Sequence, residues 1–405
     1  MSDNSLEKNQ RPSFGRFDPP RRILLGPGPS PVDDRVLNAM TAPVLGHLDP
    51  IFLQCMDDIQ SMLRYVFETE NRVTFPVSGT GSAGMEAAIV NSIEPGDDVV
   101  VCVIGVFGER MVEIVERAGG RPVTVRSEWG EPVDPNRIED ALKSCKARAL
   151  VLVHAETSTG VLQKLDGLAD LAHSRDALLV VDAVASLGGI PVGVDRNHID
   201  VCYSGSQKCL SAPPGLAPIT FSERAVSRLR SRKTKVQSWY LDASMVEKYW
   251  GAERTYHHTA PISSNYALRE ALRLVCEDGL QARWQRHELN HQALVAGLEA
   301  MGIRMLVAPE NRANCVNAVC VPDGVDDALV RSRLLEKTSI DIAGGLGRLK
   351  GRIWRIGLMG SGSTRENVLL LIQGLHEAIA EQGHQLPNGF QAAEAIYEAH
   401  SAVTA

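Results

Sequence analysis

No run of apolar residues in this chain reaches the ~18 residues of a membrane span, so a helical membrane anchor is excluded. Cysteines never stand as C-x-x-C, and no histidine and cysteine group has zinc-ligand spacing. We therefore expect no metal site. Positive charge is not in excess: 42 Lys and Arg stand against 49 Asp and Glu, a net charge of −7. A nucleic acid or an anionic membrane would favour a basic face, and neither is expected as a partner. The first twenty residues, "MSDNSLEKNQRPSFGRFDPP", lack the apolar core of a secretory signal. The closing "AVTA" matches no peroxisomal or retention address. A cytoplasmic protein is expected. No internal repeat has a solenoid period.

What is there is ordinary globular material, 44% hydrophobic and 22% charged. The 405 residues exceed the roughly 250–300 at which one core stops growing, which predicts two domains. Several of the eight cysteines lie inside apolar runs, as Cys102 does in "VVVCVI" and Cys202 in "IDVCY". They read as buried, reduced thiols.

After a polar, proline-bearing arm over residues 1–21, "RRILLGPGPSPV" is a turn-rich entry. "IFLQCMDDIQSMLRYVFET" then repeats its apolar residues at three-four spacing, from Phe52 through Cys55, Met56, Ile59, Met62 and Leu63 to Val66. This predicts an amphipathic helix. Short apolar runs then alternate with helical stretches: "VVVCVI", "PVTV", "ALVLV", "LLVVD", "IDVCY" and "APITF". Continuous apolarity marks strands buried on both faces, as in a parallel sheet covered by helices. The expected large domain spans residues 22–285. A smaller α+β domain over 286–382 follows, with strands in "AVCV" and "IWRIG", and then an alanine-rich, uninformative tail over 383–405. "SRKTK", at 231–235, reads as a solvated face.

In open α/β sheets, ligands sit beyond the carboxyl ends of the strands. "ALVLV" is followed by "HAETSTG", "LLVV" by Asp182, and "IDVCY" by "SGSQK", which ends in Lys208. A hydroxyl cluster, one acid and one lysine are thus predicted on one edge. An unpaired acid or ammonium there would be costly, but each suits the other if an aromatic cationic cofactor lies between them. Pyridoxal phosphate is such a cofactor. It needs a lysine for a Schiff base and an acid to keep its ring nitrogen protonated. It also needs a phosphate cradle, and "VSGTGSAGMEAAIVNSI" offers Thr80, Gly81 and Ser82 opening a helix. That stretch also matches G-x-G-x-x-G at Gly79, Gly81 and Gly84. A dinucleotide fingerprint wants an acid at the end of the next strand, where "VVVCVI" is followed by glycine, so that reading is set aside.

Taken together, "LLGPGPSPV", "SGTGSAGMEAA", "AETSTGVLQ", "VVDAVASLGGIPV", "YSGSQKCLSAPPG", "YHHTAPI" and "WRIGLMG" resemble the class V aminotransferases from about residue 22 to 380. They come nearest to the alanine–glyoxylate and serine–pyruvate branch. The resemblance implies fold type I: a mostly parallel seven-stranded sheet in a large domain, a smaller C-terminal α+β domain, and a homodimer with shared sites. By position it implies that Lys208 is the Schiff-base lysine and Asp182 the partner of the pyridine nitrogen. It puts Thr80, Gly81, Ser82 and Gln207 at the phosphate and Thr157 near the phenolic oxygen. Tyr256 and Thr259 would reach the phosphate of the neighbouring subunit. Arg355 would grip the substrate α-carboxylate, with Gly28 and Thr157 also against substrate. Close members often carry tryptophan where this chain has Phe107, and either ring can stack on the cofactor. His47, in "LGHLDP", reads equally as a turn histidine or a substrate contact.

The implied activity moves an amino group from alanine or serine to glyoxylate or pyruvate by a ping-pong course. Relatives using ureidoglycine as donor with glyoxylate, or serine with glyoxylate, are the alternatives. A cysteine desulfurase would need a nucleophilic cysteine shortly before the C-terminal arginine, and "IDIAGGLGRLKGRIWR" has none. A silent binding protein on the same fold would have no use for Lys208, Asp182 and Arg355 together.

Overall fold

The computed structural model describes residues 12–404. Residues 12–20 of the arm run exposed without regular structure; the rest of the expected signal-free segment, residues 1–11, lies outside the described residues. After β1 (Ile23–Leu24), Asp33 caps a short helix, α1 (Asp34–Ala39), which the apolar pattern does not reveal. Asp49 then accepts a hydrogen bond from Ile51 N at 2.8 Å, with Pro50 in the first turn, and opens α2 (Pro50–Phe67). Its predicted stripe is buried from Phe52 to Val66, apart from a half-buried Met62. Each fully buried side chain of this kind contributes roughly 1.5–3 kcal/mol. Glu68, at φ 55°, ends the helix.

The large sheet is built from β2 (Val73–Ser78), β3 (Asp98–Val103), β4 (Arg121–Arg126), β5 (Ala147–Val153), β6 (Leu178–Asp182), β7 (Val201–Tyr203) and β8 (Leu216–Phe221). Between them run α3 (Gly81–Ser92), α4 (Val106–Arg117), α5 (Pro135–Ser144) and α6 (Leu168–His173). The strand order is β2-β8-β7-β6-β5-β3-β4. Two expectations are corrected here. The run "APITF" is antiparallel to both neighbours, β2 and β7, because continuous apolarity reports burial on two faces rather than direction. "PVTV" is an edge strand with mostly exposed or half-buried residues. The sequence pattern also missed β2, whose Pro76 argues against a strand. It is an edge strand, where proline is tolerated, and Pro76 faces Pro218 across the pair.

This order positions the site. The chain runs from β3 outward to β4 and then returns to β5 on the other side of β3. That reversal is a topological switch point, and the loops after β3 and β5 part around a crevice. Since β2 and β7 are both antiparallel to β8, the end of β2 opens on the same edge as β5, β6 and β7.

Beyond the sheet come α7 (Glu223–Arg230), α8 (Ala243–Trp250), α9 (Ile262–Asp278) and α10 (Leu280–Ala300). "SRKTK" is not only a solvated face. Arg232 donates to Ile93 O at 2.6 Å and caps the end of α3, while Lys233 N and Thr234 N donate to Glu94. The C-terminal α+β part holds β9 (Val316–Cys320), α11 (Asp327–Thr338), β10 (Ile340–Asp341), β11 (Ala343–Gly344), β12 (Ile353–Gly357) and α12 (Arg365–Ala380). Its core gathers around Trp354, Leu294 and Leu371, and Leu25 joins it because β1 pairs with β10. The alanine-rich tail is informative after all: it forms α13 (Phe390–Thr404), which buries Ala393 and Tyr397 in this core. Tyr397 also donates to Asn290 at 2.7 Å. Among the described residues no helix is long and apolar enough to cross a membrane. All eight cysteines are free; five are buried and Cys276 is exposed.

Candidate active site

Past Tyr203 the chain turns through small residues that tie it down on both sides. Ser206 Oγ donates to Pro213 O at 2.6 Å, and Ser30 Oγ donates to Lys208 O at 2.8 Å. The backbone at Lys208 is therefore fixed while its side chain points inward, only 8% exposed. The ammonium donates to Pro27 O. Gly28, at φ +105°, lies against the lysine so closely that a Cβ there would sit 2.6 Å from Lys208 Cδ and Nζ. Burial lowers the Lys208 pKa from 10.5 to about 8, and the charge of Arg355 adds to the effect.

Val153, Asp182 and Tyr203 lie in one register row across β5, β6 and β7. Asp182 is 3% exposed. Its Oδ1 accepts from Val184 N at 2.7 Å and its Oδ2 from Tyr203 OH at 2.8 Å. Burial raises its pKa to about 7, against the pull of those two hydrogen bonds. A carboxyl held in this way ionises readily once a cation is set beside it.

Thr80 precedes α3 with extended backbone and makes no side-chain cap bond. Its hydroxyl and the free N–H groups of Gly81 and Ser82 are open to a ligand. Gln207 has a buried Oε1 without a partner, and Gly205 leaves it room, since a Cβ at 205 would lie 2.8 Å from that atom. Thr80, Gly81, Ser82, Phe107, Thr157, Asp182, Gln207 and Lys208 line one cavity of about 190 Å³. Larger hollows of about 780 and 660 Å³ are open surface grooves that gather none of these residues.

Glu156, Tyr203 and Arg110 escaped the sequence reading, and Ser158 entered it only as part of the hydroxyl cluster. Gly105 precedes α4 and offers no side-chain cap. The cap comes from the loop after β5 instead: Val106 N donates to Ser158 Oγ at 2.9 Å, and Phe107 N to Glu156 Oε1 at 3.5 Å. Glu156 is fully buried, accepts from Ser158 Oγ at 2.6 Å, and is pushed toward its neutral form by burial. Glu156 and Ser158 thereby set the position of Phe107. Tyr203 holds Asp182. Arg110, on α4, also lines the cavity.

Arg355 sits on β12, buried. It donates from Nε to Gly344 O at 2.8 Å and from Nη1 to Thr157 O at 3.2 Å. It thus joins the C-terminal part to the cavity wall with two of its five N–H groups, leaving the others for a ligand. Tyr256 and Thr259 do not line the cavity of their own chain. Tyr256 is 54% exposed, its ring 4.8 Å from that of His47, and its hydroxyl lies 3.4 Å from Thr259 Oγ1.

Pyridoxal phosphate fits these residues. A helix end with free N–H groups and an unpaired amide line one cavity together with a buried lysine and a buried acid. Comparison with known proteins agrees. The aminotransferase class-V family model matches residues 25–349. An alanine–glyoxylate aminotransferase of Callithrix jacchus is 44% identical over 364 residues, 89% of this chain and 88% of that one. An (S)-ureidoglycine–glyoxylate transaminase of Bacillus subtilis is 40% identical over 399 residues, 94% of this chain and 96% of that one. The crystal structure of an alanine–glyoxylate aminotransferase from Nostoc sp. superposes with a TM-score of 0.90 at 48% identity, covering 92% of this chain and 99% of that one. The chain belongs to the class V aminotransferase family, whose members are pyridoxal phosphate enzymes.

Proposed function

We propose that this enzyme moves the amino group of alanine or serine to glyoxylate, with pyruvate as a second acceptor. The observation that carries the reading is the convergence of Lys208 and Asp182 on a cavity that Thr80, Gly81 and Ser82 also line. Bound pyridoxal phosphate supplies the sink for the electrons left when the α-proton departs. In this reading Thr80, Gly81, Ser82 and Gln207 hold the phosphate, Phe107 covers the ring, and Asp182 keeps the ring nitrogen protonated. Thr157 serves the phenolic oxygen. Lys208 anchors the cofactor and, with an amine whose pKa is lowered to about 8, takes and returns a proton at Nζ. Arg355 suits the two oxygens of an α-carboxylate better than an ammonium would, and Gly28 leaves room beside the lysine.

The Bacillus relative, matched over nearly its whole length, favours a second reading in which ureidoglycine is the donor. A donor screen separates them. With glyoxylate as acceptor, alanine or serine is expected to exceed ureidoglycine in kcat/KM by about tenfold or more, with ping-pong kinetics. The opposite order carries the second reading, and no transfer from any of the three overturns both.

We also propose a cytoplasmic homodimer with shared sites. Eight free thiols suit a reducing compartment. Val44, Leu48, Ile51, Trp239 and Tyr256 are large apolar side chains that a lone chain leaves 45–73% exposed, near the "YHHT" segment that the dimer reading assigns to the other subunit. Mixed dimers test this. One protomer carries Lys208→Ala and the other both Tyr256→Phe and Thr259→Ala, after the double variant alone is seen to lose cofactor. With shared sites one site carries every lesion and its twin none, so about half the native activity returns. Hybrids that stay inactive show that each protomer owns its whole site.

A further inference from the structure

Beside the helix end assigned above to the phosphate lies a cation, Arg110, with no ion-paired carboxylate among the described residues. Arg110 lies one turn beyond Phe107 on α4. Its guanidinium stands over the Phe107 ring, 4.9 Å from the centroid, and Nη1 donates to Ser82 Oγ at 3.1 Å. Arginines nearby on the same helix and the adjoining strand are paired, Arg117 with Glu113 and Arg126 with Glu109. Among the described residues no carboxylate comes within ion-pair distance of Arg110.

Its position makes this unusual. Ser82 stands in the first turn of α3, where the helix dipole is already positive, and that turn contains no acidic residue. Arg110 is exposed, so solvent screens it and the dipole disfavours the cation only weakly, but an anion set between the two would make the contact favourable. Besides Lys208, Arg110 is the one cationic side chain among the residues lining the cavity. The ring of Phe107 and the hydroxyl of Ser82 also hold the guanidinium in place before any ligand arrives, which reduces the ordering cost of binding.

We infer that Arg110 is the side-chain cation for the cofactor's phosphate, so that this site binds pyridoxal phosphate and discriminates against unphosphorylated pyridoxal. The inference rests on the cofactor reading above. It assigns Arg110 a binding role that no sequence motif announces. A planar guanidinium can turn from one hydroxyl to two phosphate oxygens without leaving its place over the ring.

The test uses the apo form of the full chain. Pyridoxal phosphate and pyridoxal are titrated into the native protein, Arg110→Gln and Arg110→Lys, following the quench of tryptophan fluorescence. Loss of one charged hydrogen bond predicts that Arg110→Gln raises the Kd for pyridoxal phosphate about ten- to a hundredfold. Its Kd for pyridoxal should stay within about twofold, and Arg110→Lys should fall between native and Gln. Inorganic phosphate should compete with pyridoxal phosphate in the native protein and do so less in Arg110→Gln. Equal weakening of both ligands would make Arg110 a structural residue, and an unchanged Kd for pyridoxal phosphate would remove it from the site; either overturns the inference. A native protein that binds pyridoxal phosphate no better than Lys208→Ala does overturns the cofactor reading itself and takes this inference with it.

Discussion

Lys208→Ala is expected to abolish the visible absorption band of the lysine-bound cofactor and to lower turnover by at least about a thousandfold, the span of a lost acid–base group. The fold should survive. The loop is held by backbone bonds, Ser30 Oγ to Lys208 O and Ser211 N to Lys208 O, which the substitution leaves in place. An ammonium at 8% exposure is itself costly to bury, so its removal should leave the midpoint of thermal unfolding near native. The native apo protein supplies the matching pH test. Only the free amine can attack the cofactor, and burial lowers its pKa from 10.5 to about 8. Below that value the ammonium dominates and loading is slow. The rate should rise with pH, reach half its plateau at about pH 8, and level off above. A stable band in Lys208→Ala would show that another lysine is the anchor, and a midpoint near 10 that burial does not lower the Lys208 amine.

Much of this site could be read from the chain because its residues follow apolar runs directly. Asp182 closes "LLVVD", Thr157 stands four residues after "ALVLV", and Lys208 five after "IDVCY"; the parallel register then sets those ends side by side. Arg110, Glu156 and Tyr203 were not legible for a common reason. Each looks ordinary locally: an arginine on the polar side of an amphipathic helix, a loop acid, an aromatic ending a buried strand. The roles of Arg110 and Glu156 arise only when α4 meets the start of α3 and the loop after β5, contacts made between segments up to 52 residues apart, and that of Tyr203 only when β7 is set beside β6. The same holds for α13. Its alanines carry little signal alone, yet Ala393 lets the helix approach α10 closely, where a Cβ on Gly297 would lie 3.2 Å from the Ala393 Cβ. Strand direction in β8 was out of reach because residues buried on both faces look alike whichever way the chain runs.

Asp182→Asn should leave the fold intact, retain part of the cofactor, and slow α-proton removal by about three orders of magnitude. The carboxylate now accepts from Val184 N through Oδ1 and from Tyr203 OH through Oδ2. An asparagine keeps the first bond through its own oxygen. Its Nδ2 can meet the tyrosine hydroxyl as a donor, which keeps that contact but leaves the hydroxyl proton without its present acceptor, a modest cost in stability. What disappears is the charge. At an effective dielectric of ~20, opposite unit charges ~4 Å apart attract by about 4 kcal/mol, and that loss equals about three powers of ten in rate. Burial has already raised the acid's pKa to about 7, so in the empty site it is only partly ionised at neutral pH, and the ring cation draws it to the charged form. The neutral amide has no such response. The slowed step should be visible directly: with α-deuterated alanine, the kinetic isotope effect on kcat should grow in Asp182→Asn as proton removal becomes limiting. Binding of the α-carboxylate, which the proposed site leaves to Arg355, should change little. Native turnover in Asp182→Asn, with no larger isotope effect, would mean that the buried acid serves only to brace the turn at Val184.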